Sequence, residues 1–202
     1  MTGSDLSSYQ LALARMYQAR LKSRESAALF DFSFALDKPQ LAATVKIARM
    51  PLVLADGSPL WGVGSLGTAR IAPSGEPRDP HEHQFVGIYD SDSLELCEFI
   101  AACYHFDLRV EPLGDGHTVP LGKAYSLRAA GFSAGLLLRG DYYAPFADPI
   151  PRLENVNSSL LSVVLVTTEE VEFKKRRGVS SLLKKWRRER RDVFRIGAAT
   201  SH

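Results

Sequence analysis

The sequence lacks the features that would place it outside the ordinary globular class. Only two of its 202 residues are cysteine, and no apolar run approaches the ~18 residues of a membrane-spanning helix. The opening segment, 1–5, has no basic stretch followed by an apolar one, as a secretory signal would. No internal repeat or linker is visible. We therefore expect a cytoplasmic protein without a disulfide scaffold, a membrane span or a repeat array.

Both cysteines fall in a segment whose pattern predicts a helix. Cys97 and Cys103 lie six residues apart, which separates them by about 9 Å along a helix axis. That distance is too long for a disulfide bond. We expect two reduced thiols in the core.

Composition is that of one ordinary folded domain. Apolar residues make up 45% of the chain and charged residues 24%. A chain of this length buries roughly 70% of the surface that its unfolded form exposes. We therefore expect a single domain over 1–202, with two very small domains as the alternative, that needs no metal or disulfide to fold and binds no cofactor.

Charge is distributed unevenly along the chain, although the formal net charge is only +2. Residues 171–195 hold eleven Lys and Arg against three acids, which is +8, and residues 76–115 hold ten acids against two arginines, which is −8. These segments are either two solvated faces, which could complement each other, or a docking surface for an oppositely charged partner.

Hydrophobic periodicity predicts the elements of the N-terminal part. A stripe at helical spacing predicts a helix over 5–22, and strict alternation predicts a strand over 29–37. We expect short strands at 45–47 and 52–54, and a long glycine- and proline-rich loop over 62–80. The inward residues are Leu6, Tyr9, Leu13, Met16 and Tyr17 in the helix, and Phe30, Phe32, Phe34 and Leu36 in the strand.

The remaining segments alternate between strands and helices. We expect strands at 84–89 and 136–138, a loop over 112–122, and a central strand in the valine-rich run 160–166. A helix over 94–105 has Leu94, Cys97, Ala101 and Tyr104 facing inward.

Helix-boundary residues define the last two helices. Thr167 and Glu170 form a capping box for a helix that ends at Gly178. A last helix over 180–192 carries one apolar stripe that includes Trp186. The mixed order of elements predicts an α+β fold, with a mixed or antiparallel sheet flanked by helices.

Two glycine-containing segments match the residue patterns of a nucleotide-binding loop and a hydrolase nucleophile, but their flanking residues do not fit these motifs. Residues 62–67 fit G-x-G-x-x-G, but the prolines that follow cannot continue the helix that a phosphate loop opens. Residues 131–135 fit G-x-S-x-G around Ser133, yet a strand pattern follows and the next histidine is His202. We interpret the first motif as a flexible loop and the second as a glycine-bounded entry into a strand.

Histidines and paired acids offer weak candidates for chemistry. His81, Glu82 and His83 could begin a metal site, but His105 and His117 would have to complete it without a characteristic spacing. A solvated loop end explains them better. The pairs Glu169–Glu170 and Glu95/Glu98 are better explained by helix dipoles than by acid–base catalysis.

Basic clusters over 174–177 and 184–191 are the strongest charge feature. A solvated helix face is the first interpretation, a protein partner the second, and nucleic acid or anionic lipid the third. Trp186 falls on the apolar stripe, so no aromatic platform lies between the cations. The candidate basic surface consists of Lys184, Lys185, Arg187, Arg188 and Arg191.

The last third of the chain resembles the suppressor of fused-like domain. An apolar strand over 160–166 leads into Thr-Thr-Glu-Glu-Val-Glu-Phe-Lys-Lys, then Gly178, then Ser-Ser-Leu-Leu-Lys-Lys-Trp. The glycine-rich segment 61–68, the strand 83–89 and the acidic turn at Asp90 and Asp92 are similar to the middle of that domain. The resemblance covers about 45–195, and a helical segment over 1–25 precedes this region. The very basic last helix differs from the pattern of the family.

This resemblance implies a non-enzymatic binding protein without catalytic or cofactor residues. Animal members resemble inhibitory scaffolds, and bacterial members resemble immunity proteins that occlude secreted toxins. A toxin that acts on nucleic acid needs a basic cleft, which an acidic surface could enter in place of phosphate. The residues that we predict to bind the toxin are Glu76, Asp79, Glu82, Asp90, Asp92, Glu95 and Glu98.

Two other functions remain open. A regulatory adaptor could dock an acidic protein or nucleic acid through its basic C-terminal helix. A small enzyme could use His81, Glu82 and His83. The salt dependence of nucleic-acid affinity would distinguish the adaptor from the inhibitor, and a bound metal would favour the enzyme.

Overall fold

One seven-stranded mixed sheet organises the chain. The computed structural model describes residues 6, 8–21, 23, 25–34, 43–53, 59–68, 83–109, 111–139, 160–193 and 196. The strands run in the order β1-β2-β3-β4-β7-β6-β5, and every neighbouring pair is antiparallel except β4 with β7. Their bounds are Ala28–Phe34, Ala43–Val53, Pro59–Thr68, Gln84–Tyr89, Thr118–Pro120, Phe132–Arg139 and Leu160–Thr167, for β1 to β7.

Helices cover both faces of this sheet. Alternate residues of β7 point to opposite sides, so Leu161 and Val163 pack in one core cluster and Val164 and Val166 in another. Helix α2 covers the first side, while α1 and α5 cover the second. The α+β prediction is confirmed. The helices α1 to α5 are Ser8–Arg20, Leu94–Arg109, Tyr125–Ala129, Thr168–Arg177 and Val179–Glu189.

Of the inward positions predicted for α1, β1 and α2, five are buried, and Leu6, Met16, Phe30, Phe32 and Phe34 are half-buried. Leu36 and the side chain of Tyr9 lie outside the described residues. Leu13 and Tyr17 of α1 are inaccessible to solvent, as are Cys97 and Ala101 of α2. Leu94 is 56% exposed, so its predicted inward position is wrong. It is the first residue of α2, at the end of the helix beyond the part that packs on the sheet.

The predicted bounds of β2 and β3 are wrong, because proline and glycine residues within these strands suggested turns and loops. The strands expected at 45–47 and 52–54 are one strand, β2, which continues through Pro51. The pairing of β1 with β2 ends at Arg49, so Pro51 has β3 as its neighbour on one side and no strand on the other. On that open side, the N–H that proline lacks is not needed for a hydrogen bond between strands.

The loop expected over 62–80 is also wrong where the structure describes it. Residues 62–68 belong to β3, and 69–80 lie outside the described residues. Gly62 lies under Leu21, the residue after α1, and Gly64 lies under Tyr17 of α1; at both positions a Cβ atom would overlap these side chains. The glycines therefore let the helix approach the strand, and the stretch is not a flexible loop.

The segment between α2 and β7 contains more structure than expected. The loop expected over 112–122 includes the three-residue strand β5, and the strand expected at 136–138 extends over Phe132–Arg139. Helix α3 was not predicted. The entry into a strand at the G-x-S-x-G motif is confirmed, and Ser133 Oγ donates a 3.4 Å hydrogen bond to the Val166 carbonyl.

Local chemistry of the last two helices matches the expectation. Thr167 and Glu170 form the capping box of α4, and Gly178 separates α4 from α5 at a φ of 80°. In the part of the chain that the structure describes, no helix combines the length and apolar character needed to span a bilayer.

Replacing Gly64 by alanine tests the close approach of α1 to β3. The new Cβ would lie 2.6 Å from Cε2 of Tyr17, a buried ring whose hydroxyl donates a 3.0 Å hydrogen bond to the Ser65 carbonyl. We expect Gly64→Ala to lower the free energy of unfolding by about 1–3 kcal/mol in a denaturant titration. Gly114→Ala is the control, since nothing lies within 4 Å of its Cβ. Equal stabilities of the two variants would contradict the packing described.

Thiol reactivity tests the burial of the cysteines, both of which are free and buried. Burial raises the pKa of the Cys97 thiol to about 11 and also raises the pKa of Cys103. Because a raised pKa keeps a thiol protonated, we expect neither to react with Ellman's reagent in the native protein at about pH 8. Both should react in denaturant. Rapid reaction of either thiol in the native protein would contradict this burial.

Candidate functional site

The acidic turn between β4 and α2 is held by intramolecular contacts. The Asp90 carboxylate accepts a 2.8 Å hydrogen bond from the Ile196 N–H, and Asp92 forms a salt bridge with Arg49. Glu95 accepts hydrogen bonds from both the N–H and the hydroxyl of Ser126. Three of the predicted toxin-binding residues therefore also stabilise the fold.

Part of this turn remains accessible. Asp90, Asp92 and Glu98 are exposed, and Glu98 has no hydrogen bond or ion pair with any residue that the structure describes. Together with the half-buried Glu95 they form the acidic edge, which we define as these four carboxylates. Glu76, Asp79 and Glu82, also predicted to bind the toxin, lie outside the described residues.

Arg49 fixes the acidic edge to the sheet. Its guanidinium lies 4.7 Å from the ring centroid of Phe30 and 5.3 Å from that of Trp61. Such cation–π contacts hold the arginine in place, and its salt bridge to Asp92 ties the amino end of α2 to β2. Packing on the β1–β3 part of the sheet therefore holds Asp92 in place, whereas Ile196 and Ser126 hold Asp90 and Glu95.

The candidate basic surface divides into free and engaged cations. Lys184, Arg187 and Arg188 are exposed, and no acidic side chain among the described residues pairs with them. Lys185 forms a salt bridge of 3.3 Å with Glu189 and lies 5.7 Å from the centroid of the Phe173 ring.

Arg191, the fifth predicted basic residue, is half-buried beneath this surface. It donates hydrogen bonds of 2.7 Å to the Leu165 carbonyl and 2.9 Å to Glu170, and its guanidinium lies 4.7 Å from the Trp186 ring centroid. Trp186 Nε1 donates a further 2.7 Å bond to Glu170. The buried carboxylate that caps α4 thus also anchors α5, a double role that the capping-box pattern alone did not indicate.

The oppositely charged segments do not neutralise each other in the described part of the chain. Lys185 of α5 pairs with Glu189, and Arg191, two residues after α5, pairs with Glu170, so both pairs lie within the C-terminal region. The acidic edge lies at the amino end of α2, on the side of the sheet opposite to α5. The two charged surfaces therefore do not cover each other among the described residues.

A groove of about 290 Å³ lies beside the basic surface. Apolar side chains and three arginines line it, contributed by the end of β6, by α5 and by the residues after α5. The sequence pattern does not indicate this groove, because Leu138 and the α5 residues that line it are more than forty positions apart in the sequence. The lining residues are Leu138, Leu183, Trp186, Arg187, Arg190, Arg191 and Val193.

Histidines are not gathered into a metal site in the described residues. His83 Nδ1 lies 3.1 Å from the Asp107 carboxylate, which also accepts a 2.6 Å hydrogen bond from the Leu113 N–H. His105 is buried and stacks on Phe34 with 4.7 Å between ring centroids, whereas His117 is exposed. No group of three metal-ligating side chains occurs in the described ranges, and His81 and Glu82 lie outside them.

Known structures, but no curated sequences, are similar to this protein. No protein-family model matches the sequence, and no curated protein matches it. Solved structures do match. A suppressor of fused homologue from Neisseria gonorrhoeae superimposes with a TM-score of 0.65 at 17% identity, over 95% of both chains.

Two further structures carry the same fold. A chain of the Sufu–Fu complex matches with a TM-score of 0.59 at 13% identity, over 89% of this chain and 84% of its own length. Drosophila Suppressor of Fused gives 0.59 at 12% identity and covers 95% of this chain, which spans about half of the Drosophila protein. The resemblance seen over about 45–195 therefore extends over nearly the whole chain, which has the suppressor of fused-like fold.

Proposed function

We propose that this protein is a non-enzymatic, cytoplasmic binding protein that inhibits a partner protein by occluding it. More narrowly, we propose an immunity protein for a toxin. Its fold supports the general proposal, because one matching structure is named as a complex of Sufu with a second protein, Fu. The match over 95% of both chains with a bacterial homologue supports a function that the single domain performs by itself.

The acidic edge is the observation that carries the toxin proposal. Asp90, Asp92 and Glu98 are exposed at one end of α2. Arg49 holds the Asp92 carboxylate in place, and Ser126 holds that of Glu95. A preorganised set of carboxylates suits the basic cleft of a toxin that acts on nucleic acid or nucleotides. It would take the place of substrate phosphates and accelerate association.

A regulatory adaptor that uses the basic surface is the second candidate. Lys184, Arg187 and Arg188 support it, since they are exposed and unpaired among the described residues. Binding of nucleic acid through these cations would weaken steeply as salt rises, because counterions are released from phosphates. A protein partner held mainly by apolar contacts would show a much weaker dependence.

Reversal of one exposed acid tests the acidic edge. We expect Glu98→Lys to slow association with the partner by about threefold to tenfold at low salt, and less at high salt, because a rim charge acts mainly on the association rate. The partner is first isolated by co-purification with the wild-type protein and mass spectrometry. Association rates are then measured by surface plasmon resonance.

Glu172→Lys is the matched control, with the same change of net charge on the exposed face of α4. Its salt bridge to Lys175 is an exposed i,i+3 pair and contributes little to stability. Equal association rates for the two variants would contradict a role for the acidic edge. Recovery of nucleic acid alone, lost at high salt, would favour the second candidate.

A further inference from the structure

The groove beside α5 combines an apolar floor with a cationic rim. Leu138, Leu183 and Val193 supply apolar side chains, and Trp186 closes the groove from within the core. Its volume of about 290 Å³ lies at the lower end of the range for ligand sites, about 300–1,000 Å³. It is large enough for one or two side chains of a binding segment.

Only two of the three lining arginines keep an unneutralised charge. Arg191 is paired with the buried Glu170 carboxylate and lies over the Trp186 ring. Arg187 and Arg190 are exposed, and neither has an acidic partner in the ranges that the structure describes. The rim is therefore cationic next to an apolar floor.

Arg190 also occupies an unfavourable backbone position. It is the C-cap of α5, with φ 53° and ψ 38°, in the left-handed region. It is the only described residue other than glycine with a positive φ. Glycine is the usual residue where a helix ends in this conformation, because a Cβ atom is strained there. The presence of an arginine at such a strained position points to a use for its side chain.

We propose that this groove binds an acidic segment of the partner protein, which rests on the proposed function of a protein-binding inhibitor. Carboxylates of the segment would contact Arg187 and Arg190, and a neighbouring apolar side chain would enter between Leu138, Leu183 and Val193. Charge complementarity thus selects the segment, and the apolar floor sets its position.

A peptide suits the groove better than single-stranded nucleic acid. Proteins that bind single strands stack the bases on accessible aromatic rings. Trp186 is only 5% exposed, and the Arg191 guanidinium lies over its ring. The other uncharged lining residues are aliphatic.

Fluorescence anisotropy tests this proposal with a defined probe. The probe is a fluorescein-labelled peptide in which glutamates flank a central leucine and phenylalanine. One control peptide replaces the glutamates by glutamine, and another replaces the two apolar residues by serine. We expect the probe to bind the full-length protein, and each control peptide to bind at least about fivefold more weakly. Equal binding of all three peptides, or tighter binding of an oligonucleotide, would overturn the proposal.

Variants of the rim separate binding from stability. Arg187→Glu should weaken binding of the probe by about tenfold, whereas Arg188→Glu, an adjacent exposed arginine outside the groove lining, should change it by less than about twofold. Arg190→Gly should weaken binding by about threefold while it leaves Tm unchanged or raises it by about 2 °C, because it relieves the strained backbone. A lower Tm for Arg190→Gly, or equal effects of the two charge reversals, would overturn the assignment.

The same variants distinguish failure of this inference from failure of the proposed function. If the partner binds the Arg187→Glu and wild-type proteins equally, the inhibitor function stands and the groove is not its docking site. If the wild-type protein binds the probe but no protein partner co-purifies with it, the groove recognises acidic peptides and the inhibitor function fails. Loss of partner binding in Arg187→Glu, with Arg188→Glu unaffected, would support both.

Discussion

The parallel pairing of β4 with β7 joins the two halves of the sheet. Gln84, Phe85 and Val86 lie beside Leu160, Leu161 and Ser162, although more than seventy residues of sequence separate the strands. The remaining strand pairs are antiparallel and divide into β1–β4 and β5–β7. A buried hydrogen bond of 2.9 Å from the Tyr89 hydroxyl to the Val163 carbonyl reinforces the junction. Without this pair the molecule would be two small sheets.

The same pairing determines where the charged surfaces lie. Because β4 and β7 are parallel, the helices that follow them, α2 and α4, begin at the same edge of the sheet. They then pack on opposite sides, and α5 follows α4. The acidic edge and the basic surface are therefore separated by the sheet, while the backbone at Ile196 returns to Asp90. The two surfaces of opposite charge therefore lie on different sides of the sheet.

Buried polar groups at these surfaces serve the fold first. Glu170 caps α4 and accepts hydrogen bonds from Trp186 and Arg191, and Arg49 lies between two aromatic rings while it pairs with Asp92. Such ion pairs stabilise a structure most when their remaining hydrogen-bonding groups are satisfied, and the buried Nε of Arg49 has no hydrogen-bond partner among the described residues. Exposed charges outside these networks, such as Glu98 and Arg187, have no ion-pair partner among the described residues.

Sequence alone determined those features that depend on neighbouring residues. The stripe of α1, the alternation of β1, the valine-rich β7 and the capping box of α4 are local patterns, and the structure confirms each. Tertiary structure decided what depends on distant contacts. Position 64 of β3 needs glycine because Tyr17 packs over it, and Pro51 is tolerated because β1 has already ended. Arg191 is engaged because Glu170 lies beneath α5. The groove belongs to this second class, since β6 and α5 become neighbours only when the sheet has formed.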